Sequence, residues 1–311
     1  MVKQYLKRLV SAKAMSGLFK NRRFIFVYHD ISNENSIHHA NQYSTTPERF
    51  FEQIEFLKSQ FEIIPLQQLV NDNDLSSNKS YASLTFDDGF ESVFSIARPI
   101  LNERKIPYSV FVNLSALVNN QVWVSNIIMN DKSYENKLRK LAGVSTPKNS
   151  TISDIMSGGN FTNEFLTNYK IDNSDTQQRV YMGLDQLKRL KEEGVLIGNH
   201  SSDHFVLSQC DDETLKNQIK AIDSLLVNEL GLNKVEYFAI PFGKKGHYNS
   251  KVLEEISTFG YKYIFSTNPD HFKIKKTNHS YMLYPRIGIG EDTTDQIQFY
   301  INRSYFRNYD L

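Results

Sequence analysis

The stretch Ala82-Ser83-Leu84-Thr85-Phe86-Asp87-Asp88-Gly89 runs from a short apolar segment into two adjacent carboxylates and a glycine. Ala82–Phe86 has the length and composition of a buried strand, and the residues behind it, Glu91–Arg104, carry a helical period. Asp87 and Asp88 therefore stand where a strand ends and a helix begins. Adjacent carboxylates repel each other and are stabilised by a nearby cation. The plainer alternative is a helix N-cap with a solvated neighbour.

The same alternation extends in both directions. Strand-like runs occur at Phe24–Tyr28, Phe61–Ile64, Tyr108–Val112, Val195–Gly198, Tyr237–Ile240 and Tyr261–Phe265. Helical periods lie between them at Pro47–Gln60, Leu184–Glu193, Asp211–Leu230 and Asn249–Phe259, the first with Phe50, Phe51, Ile54 and Leu57 on one face. Gly194, Gly231 and Gly260 each follow a helical pattern directly, where a left-handed residue commonly ends the helix. About seven strands alternating with helices predict an α/β fold with parallel strands, either a barrel or a doubly wound sheet. In both, function gathers at the C-terminal ends of the strands.

The 311 residues, 40% hydrophobic and 23% charged, describe a globular chain with ample length for a core. No window approaches the roughly 18 apolar residues of a spanning helix. The single cysteine, Cys210, excludes an internal disulfide and a cysteine-built zinc site, so any metal falls to histidine and carboxylate. The 36 basic and 35 acidic side chains give no global field to attract nucleic acid. That balance hides an asymmetry, because residues 1–23 hold seven basic side chains and no acid.

Four further motifs follow strand patterns. His200-Ser201-Ser202-Asp203-His204 sits behind Val195–Gly198, and its two histidines share one side if the backbone turns helically. Two histidines and one carboxylate with an open position form a catalytic type of zinc site. Pro241-Phe242-Gly243 is a turn that can aim backbone N–H groups at a developing oxyanion, or simply a turn. Arg286, in Tyr284-Pro285-Arg286-Ile287-Gly288-Ile289, either points inward beside the carboxylates or lies on the surface. His29, in Val27-Tyr28-His29-Asp30, closes the first strand; a lone histidine is more often structural than catalytic, and a strand-end position in this fold improves the odds of function.

Taken together, Thr-Phe-Asp-Asp-Gly at 85–89, His-Ser-Ser-Asp-His at 200–204 and Pro-Phe-Gly at 241–243 resemble the polysaccharide deacetylases with NodB homology, carbohydrate esterase family 4. Tyr28-His29 and Pro285-Arg286 are similar to the subgroup that includes exopolysaccharide deacetylases. The resemblance spans about residues 24–290. It implies a distorted (β/α) barrel with fewer than eight repeats and removal of an N-acetyl or other N-acyl group from an amino sugar, in a polysaccharide or a lipid-linked glycan. It further implies a divalent metal, with zinc expected, held by Asp88, His200 and His204. Asp87 is the implied general base and the Phe242 N–H the implied oxyanion donor.

Two departures from the family pattern stand out. An arginine that commonly steadies the catalytic aspartate is replaced by Ala239, and Arg286 is the candidate substitute. The usual late histidine, the general acid, has no clear counterpart among His247, His271 and His279, which leaves His29 as the candidate. A catalytically inactive carbohydrate-binding protein on the same fold and an O-deacetylase are the competing readings. Retention of Asp87 beside all three ligands argues against the first, since a binder needs no such carboxylate.

Two segments fall outside the regular pattern. Residues 119–180 are rich in Asn, Ser and Asp and break the alternation, as an inserted excursion would. Residues 1–23 interleave basic and apolar positions without the unbroken apolar stretch of a signal peptide. They predict a basic amphipathic helix that brings a cytoplasmic enzyme to the inner face of the membrane, the plainer alternative being a helix whose apolar face packs against the barrel.

Overall fold

The computed structural model describes residues 22–33, 43–71, 75–76, 78–119, 179–267, 275–276 and 281–307. The N-terminal segment 1–21 and nearly all of the 119–180 excursion lie outside them, as do His271 and His279.

The strands are β1 (Arg23–Tyr28), β2 (Glu62–Ile63), β3 (Tyr81–Phe86), β4 (Tyr108–Val112) and β5 (Leu196–Asn199), followed by β6 (Tyr237–Ala239), β7 (Tyr263–Ser266), β8 (Lys275–Lys276), β9 (Met282–Pro285) and β10 (Ile287–Gly288). They are ordered β10-β1-β3-β4-β5-β6-β7-β9-β8, every pair parallel except β8 with β9. Arg286 alone separates β9 from β10. Because β9 pairs with β7 and β10 with β1, one stretch of chain closes the ring. The result is a nearly closed barrel of eight parallel strands wrapped by helices.

One expected strand is corrected here. Phe61–Ile64 contributes only the two-residue β2, which pairs with β3 off the ring. Its place in the wall belongs to Met282–Gly288, where Pro285, unable to donate to a ladder, and the charged Arg286 interrupt the apolar pattern.

Helix ends follow local chemistry. In α1 (Pro47–Gln60), Thr46 accepts a hydrogen bond from the Arg49 N–H and Pro47 occupies the first turn. After the short α2 (Leu66–Asn71), a π-helical turn, Val93–Ala97, leads into α3 (Arg98–Glu103), where Pro99 lacks the N–H of a regular ladder. α4 (Leu114–Asn119) and α5 (Leu184–Glu192) flank the excursion. Asp211 caps α6 (Asp212–Leu230), which ends at Gly231 with φ 58°; Asn249 caps α7 (Ser250–Thr258); and α8 (Thr294–Arg307) is the last element among the described residues. Phe51 departs from its expected face: Phe50, Ile54 and Leu57 are fully buried, whereas Phe51 is 42% exposed beneath the Arg104 guanidinium. A residue one step from Phe50 lies about 100° further round the helix.

Alternation along the strands sorts side chains into two cores. Phe26, Leu84, Val110, Phe238 and Ile264 face outward against the helices. Ile25, Phe111, Ala239, Phe265 and Tyr284 face into the barrel, where Leu66 and Leu69 of α2 join them. Continuing the inward phase by two residues at each strand end leads to His29, Asp87, His200 and Arg286. The fold thus converges four of the candidate residues on one rim.

Candidate active site

Arg286 is fully buried at the seam between β9 and β10 and pairs with Asp87 through both oxygens, Nη1 to Oδ1 at 2.7 Å and Nη2 to Oδ2 at 2.6 Å. Nη1 also donates to Thr85 Oγ1 at 3.3 Å, and the guanidinium lies 5.4 Å from the Phe111 ring centroid and 5.9 Å from that of Phe265. Gly198 of β5 lets the Phe111 ring lie there, since a Cβ at 198 would meet that ring at 2.5 Å. Burial pushes the Asp87 carboxyl up, but the Arg286 guanidinium, helped by His200, outweighs it and holds Asp87 below the ordinary carboxylate range. The interior alternative for Arg286 is the observed one.

Asp88, His200 and His204 present ligand atoms that all lie within 4.8 Å of one another. His200 Nδ1 is 2.8 Å from the Ala239 carbonyl oxygen and must carry a proton to bond it. The neutral ring then aims the lone pair of Nε2 at Asp88 Oδ1, 3.4 Å away, and His204 Nε2 stands 3.4 Å from the same oxygen. Asp88 Oδ1 is buried and makes no hydrogen bond. Acceptors converging on a buried carboxylate oxygen call for a cation, and two imidazoles with one carboxylate suit a divalent metal with open positions. The residues present fit such an ion.

The histidine motif does not turn helically. Ser201 and His204 take left-handed φ values of 70° and 54°, and together they bring both rings to one side. Asn199 accepts the Ser201 N–H at 2.6 Å, and Ser201 Oγ accepts the His204 N–H at 3.1 Å. Asn113 donates to the His200 carbonyl. Asp203 is turned away from the cluster, its carboxylate accepting from Gln218 Nε2 of α6 at 2.7 Å. Among the described residues, five that are not glycine have positive φ, and four of them (Asp88, Ser201, His204 and Phe242) belong to this rim. Strained backbone concentrated in one place marks a functional site.

Phe242, φ 60°, packs its ring 4.5 Å from that of His204 and 5.3 Å from that of His247. Its carbonyl accepts from Thr267 Oγ1 at 2.5 Å, fixing the turn that carries its N–H at this rim. His247 is fully buried, with Nδ1 accepting the Lys244 N–H at 3.2 Å. His29 is partly exposed, and its ring lies 5.8 Å from that of Tyr43. Its Nδ1 is buried without a hydrogen-bond partner, and burial pulls its pKa below the ordinary value. Asn199, Asn113 and Gln218 support the site and were absent from the sequence reading. Asn113 and Asn199 could have been signalled only by their place at strand ends, and Gln218, within α6, carries no such signal.

The histidines imply a pH dependence of the metal-free protein. Burial pulls His204 down to about 4, whereas the Asp87 and Asp88 carboxylates outweigh burial at His200 and raise it. Between pH 6.5 and about 4 the unfolded chain binds a proton at residue 204 that the folded chain refuses, so stability falls as pH drops through that window. The His200 contribution is present below its unfolded value and is lost as pH rises through the folded one. Urea titrations should therefore find a stability maximum near about pH 6.5. A flat profile from pH 4 to 8 would contradict this assignment.

Residues 74–264 match the sequence profile of the polysaccharide deacetylases, more than half of the 311-residue chain, and the chain belongs to that family. Solved structures with the same fold include Streptococcus pyogenes deacetylase PplD in complex with acetate, 15% identical, with 89% of this chain and 96% of that one covered and a TM-score of 0.55. A polysaccharide deacetylase from Bacillus cereus is 15% identical, with 92% and 70% covered and a TM-score of 0.60. A de-N-acetylase from Aggregatibacter actinomycetemcomitans is 14% identical, with 90% and 100% covered and a TM-score of 0.56. No curated protein sequence matches the chain.

Proposed function

We propose that this protein is a divalent-metal-dependent hydrolase that removes an N-acetyl or other N-acyl group from an amino sugar of a glycan. The observation that carries the reading is Asp87, clamped by Arg286, standing beside the Asp88, His200 and His204 set. When bound, the metal supplies Lewis-acid polarisation of the amide carbonyl and acidifies water. Asp87, kept ionised by Arg286, takes the proton of the attacking water. The Phe242 N–H donates to the oxyanion that develops on the carbonyl oxygen. His29 protonates the departing amine, and its depressed pKa makes the imidazolium a stronger acid for that step. Acetate release from N-acetylated oligosaccharides by the metal-loaded protein tests the reading. Glycan binding without release would instead favour the inactive binder, and release confined to O-acetyl esters the O-deacetylase.

Zinc is the proposed ion, because nitrogen and carboxylate ligands in an open set of three suit it. His200→Ala should abolish stoichiometric metal in elemental analysis of the purified protein. Undiminished metal in that variant would reject the ligand set.

Residues 1–23 are proposed to hold a cytoplasmic enzyme at an anionic membrane surface. Val2, Tyr5, Leu6 and Leu9 supply apolar positions at helical spacing among Lys3, Lys7 and Arg8. Each basic residue contributes near 1 kcal/mol at close approach to anionic lipid. The full chain should float with phosphatidylserine vesicles at low salt and release at high salt. Absence of binding at low salt would reject this, and binding that survives deletion of 1–23 would place it elsewhere.

A further inference from the structure

Asp30 follows His29 and is 3% exposed, yet no basic side chain among the described residues pairs with it. Three serine hydroxyls donate to its carboxylate instead: Ser92 to Oδ1 at 2.7 Å, Ser44 to Oδ2 at 3.0 Å, and Ser32 to Oδ2. Ser92 Oγ in turn accepts the Ile31 N–H at 3.1 Å, and the Asp30 carbonyl accepts the Thr45 N–H at 2.9 Å. These bonds join three segments: the chain leaving β1 with His29, the loop that carries Tyr43 to Thr45, and the helical turn that follows Asp87 and Asp88. Three hydroxyls on one buried carboxylate supply charge-assisted hydrogen bonds in place of an ion pair. The His29 ring has no such anchor of its own, because its buried Nδ1 lacks a hydrogen-bond partner. Its place is set by the backbone behind it and by Tyr43.

From this juxtaposition we infer that Asp30 is the positioning residue of His29: its carboxylate ties the His29 backbone and the Tyr43 loop to the segment bearing Asp87 and Asp88. The inference rests on the reading of His29 as the acid that protonates the leaving amine. A positioning role of this kind affects only the step His29 serves. Loss of an amide nitrogen needs that proton, whereas 4-nitrophenolate leaves as a stable anion and does not. Ser92 lies four residues beyond Asp88, and the segment between them has supports apart from Asp30. Arg286 holds Asp87, the Asp87 and Glu91 N–H groups bond the Tyr28 and Val180 carbonyls, and the Gly89 carbonyl accepts the Met182 N–H, so the ligands and Asp87 are expected to stay in place when Asp30 changes.

The test compares wild type, His29→Ala, Asp30→Ala and Asp30→Asn, all full-length and metal-loaded, on N-acetylated chitooligosaccharides and on 4-nitrophenyl acetate. His29→Ala is expected to lose about a hundredfold on the amide and to stay within about threefold on the ester. Asp30→Ala should lose tenfold or more on the amide with the ester equally preserved, and Asp30→Asn, which keeps one acceptor oxygen, should fall between. Retained ester turnover shows in the same sample that the barrel and metal site are folded. In protein labelled with carbon-13 at histidine, the ring resonance missing from His29→Ala should shift or broaden in Asp30→Ala, while those of His200 and His204 stay put. Equal loss on both substrates in Asp30→Ala, or an unmoved His29 resonance, overturns the inference. Equal loss on both substrates in His29→Ala overturns the acid assignment and the inference with it.

Discussion

Asp87→Asn should fold, retain its metal and turn over N-acetylated substrate at least about a hundredfold more slowly. Asparagine matches aspartate in shape, and none of the three ligand atoms belongs to residue 87. What the substitution removes is a basic oxygen positioned next to the ligand set. It also changes the clamp. Arg286 now directs two N–H donors, at 2.7 and 2.6 Å, toward a side chain with one acceptor oxygen and one NH2 group. One of those donors loses its partner inside the barrel, so a drop in thermal stability accompanies the loss of turnover. Metal content by elemental analysis, acetate release and thermal unfolding on the same preparation separate the effects. Turnover near that of wild type would show that Asp87 is not the base.

How far this site could be read in advance depends on what each residue signals locally. Helix ends were legible because their chemistry is local: the helical periods Pro47–Gln60, Asp211–Leu230 and Asn249–Phe259 match α1, α6 and α7 to within a residue, and Gly231 ends α6 as its position predicts. The convergence of Asp87, Asp88, His200 and His204 was legible because each follows an apolar run, and parallel strands bring their C-terminal ends together. The closing strand was not. Met282–Gly288 changes partner from β7 to β1 at Arg286, so its two halves are short and carry no continuous pattern of either period. Left-handed backbone at Asp88, Ser201, His204 and Phe242 was equally hidden, since none of these residues is glycine; in the fold, Asn199 accepts the Ser201 N–H, Ser201 Oγ accepts the His204 N–H, and Thr267 Oγ1 donates to the Phe242 carbonyl. The role of Asp30 lay beyond sequence altogether. Its three serine partners are 2, 14 and 62 residues away and meet only in the fold.

The position of Arg286 carries the second large effect, because it stands at the closure of the barrel and its guanidinium sets the charge of the Asp87 carboxylate, the proposed base. Its N–H bonds the Ser266 carbonyl at 2.8 Å while its side chain holds Asp87, so seam and site are mechanically one element. Arg286→Met keeps the backbone bond and much of the volume but leaves Asp87 buried as an unpaired anion beside Asp88. Removing one partner of a buried pair costs about 3–5 kcal/mol. The chain can lessen that cost by protonating Asp87, since the guanidinium is the group that offsets its burial. A protonated Asp87 cannot accept the proton of water, so turnover falls by about a hundredfold or more even in molecules that stay folded. Metal binding should be unharmed, because the variant removes positive charge near the ligand set and none of the ligands. Pairing Arg286→Met with Asp87→Asn removes both charges together, so the double variant should recover much of the stability and none of the activity. Denaturant melts of the metal-free proteins measure the first effect and acetate release the second. Additive stability losses in the double variant would show that the Arg286 and Asp87 pair is not coupled in solution. A single variant with normal turnover would return the role of the missing arginine at Ala239 to some other residue.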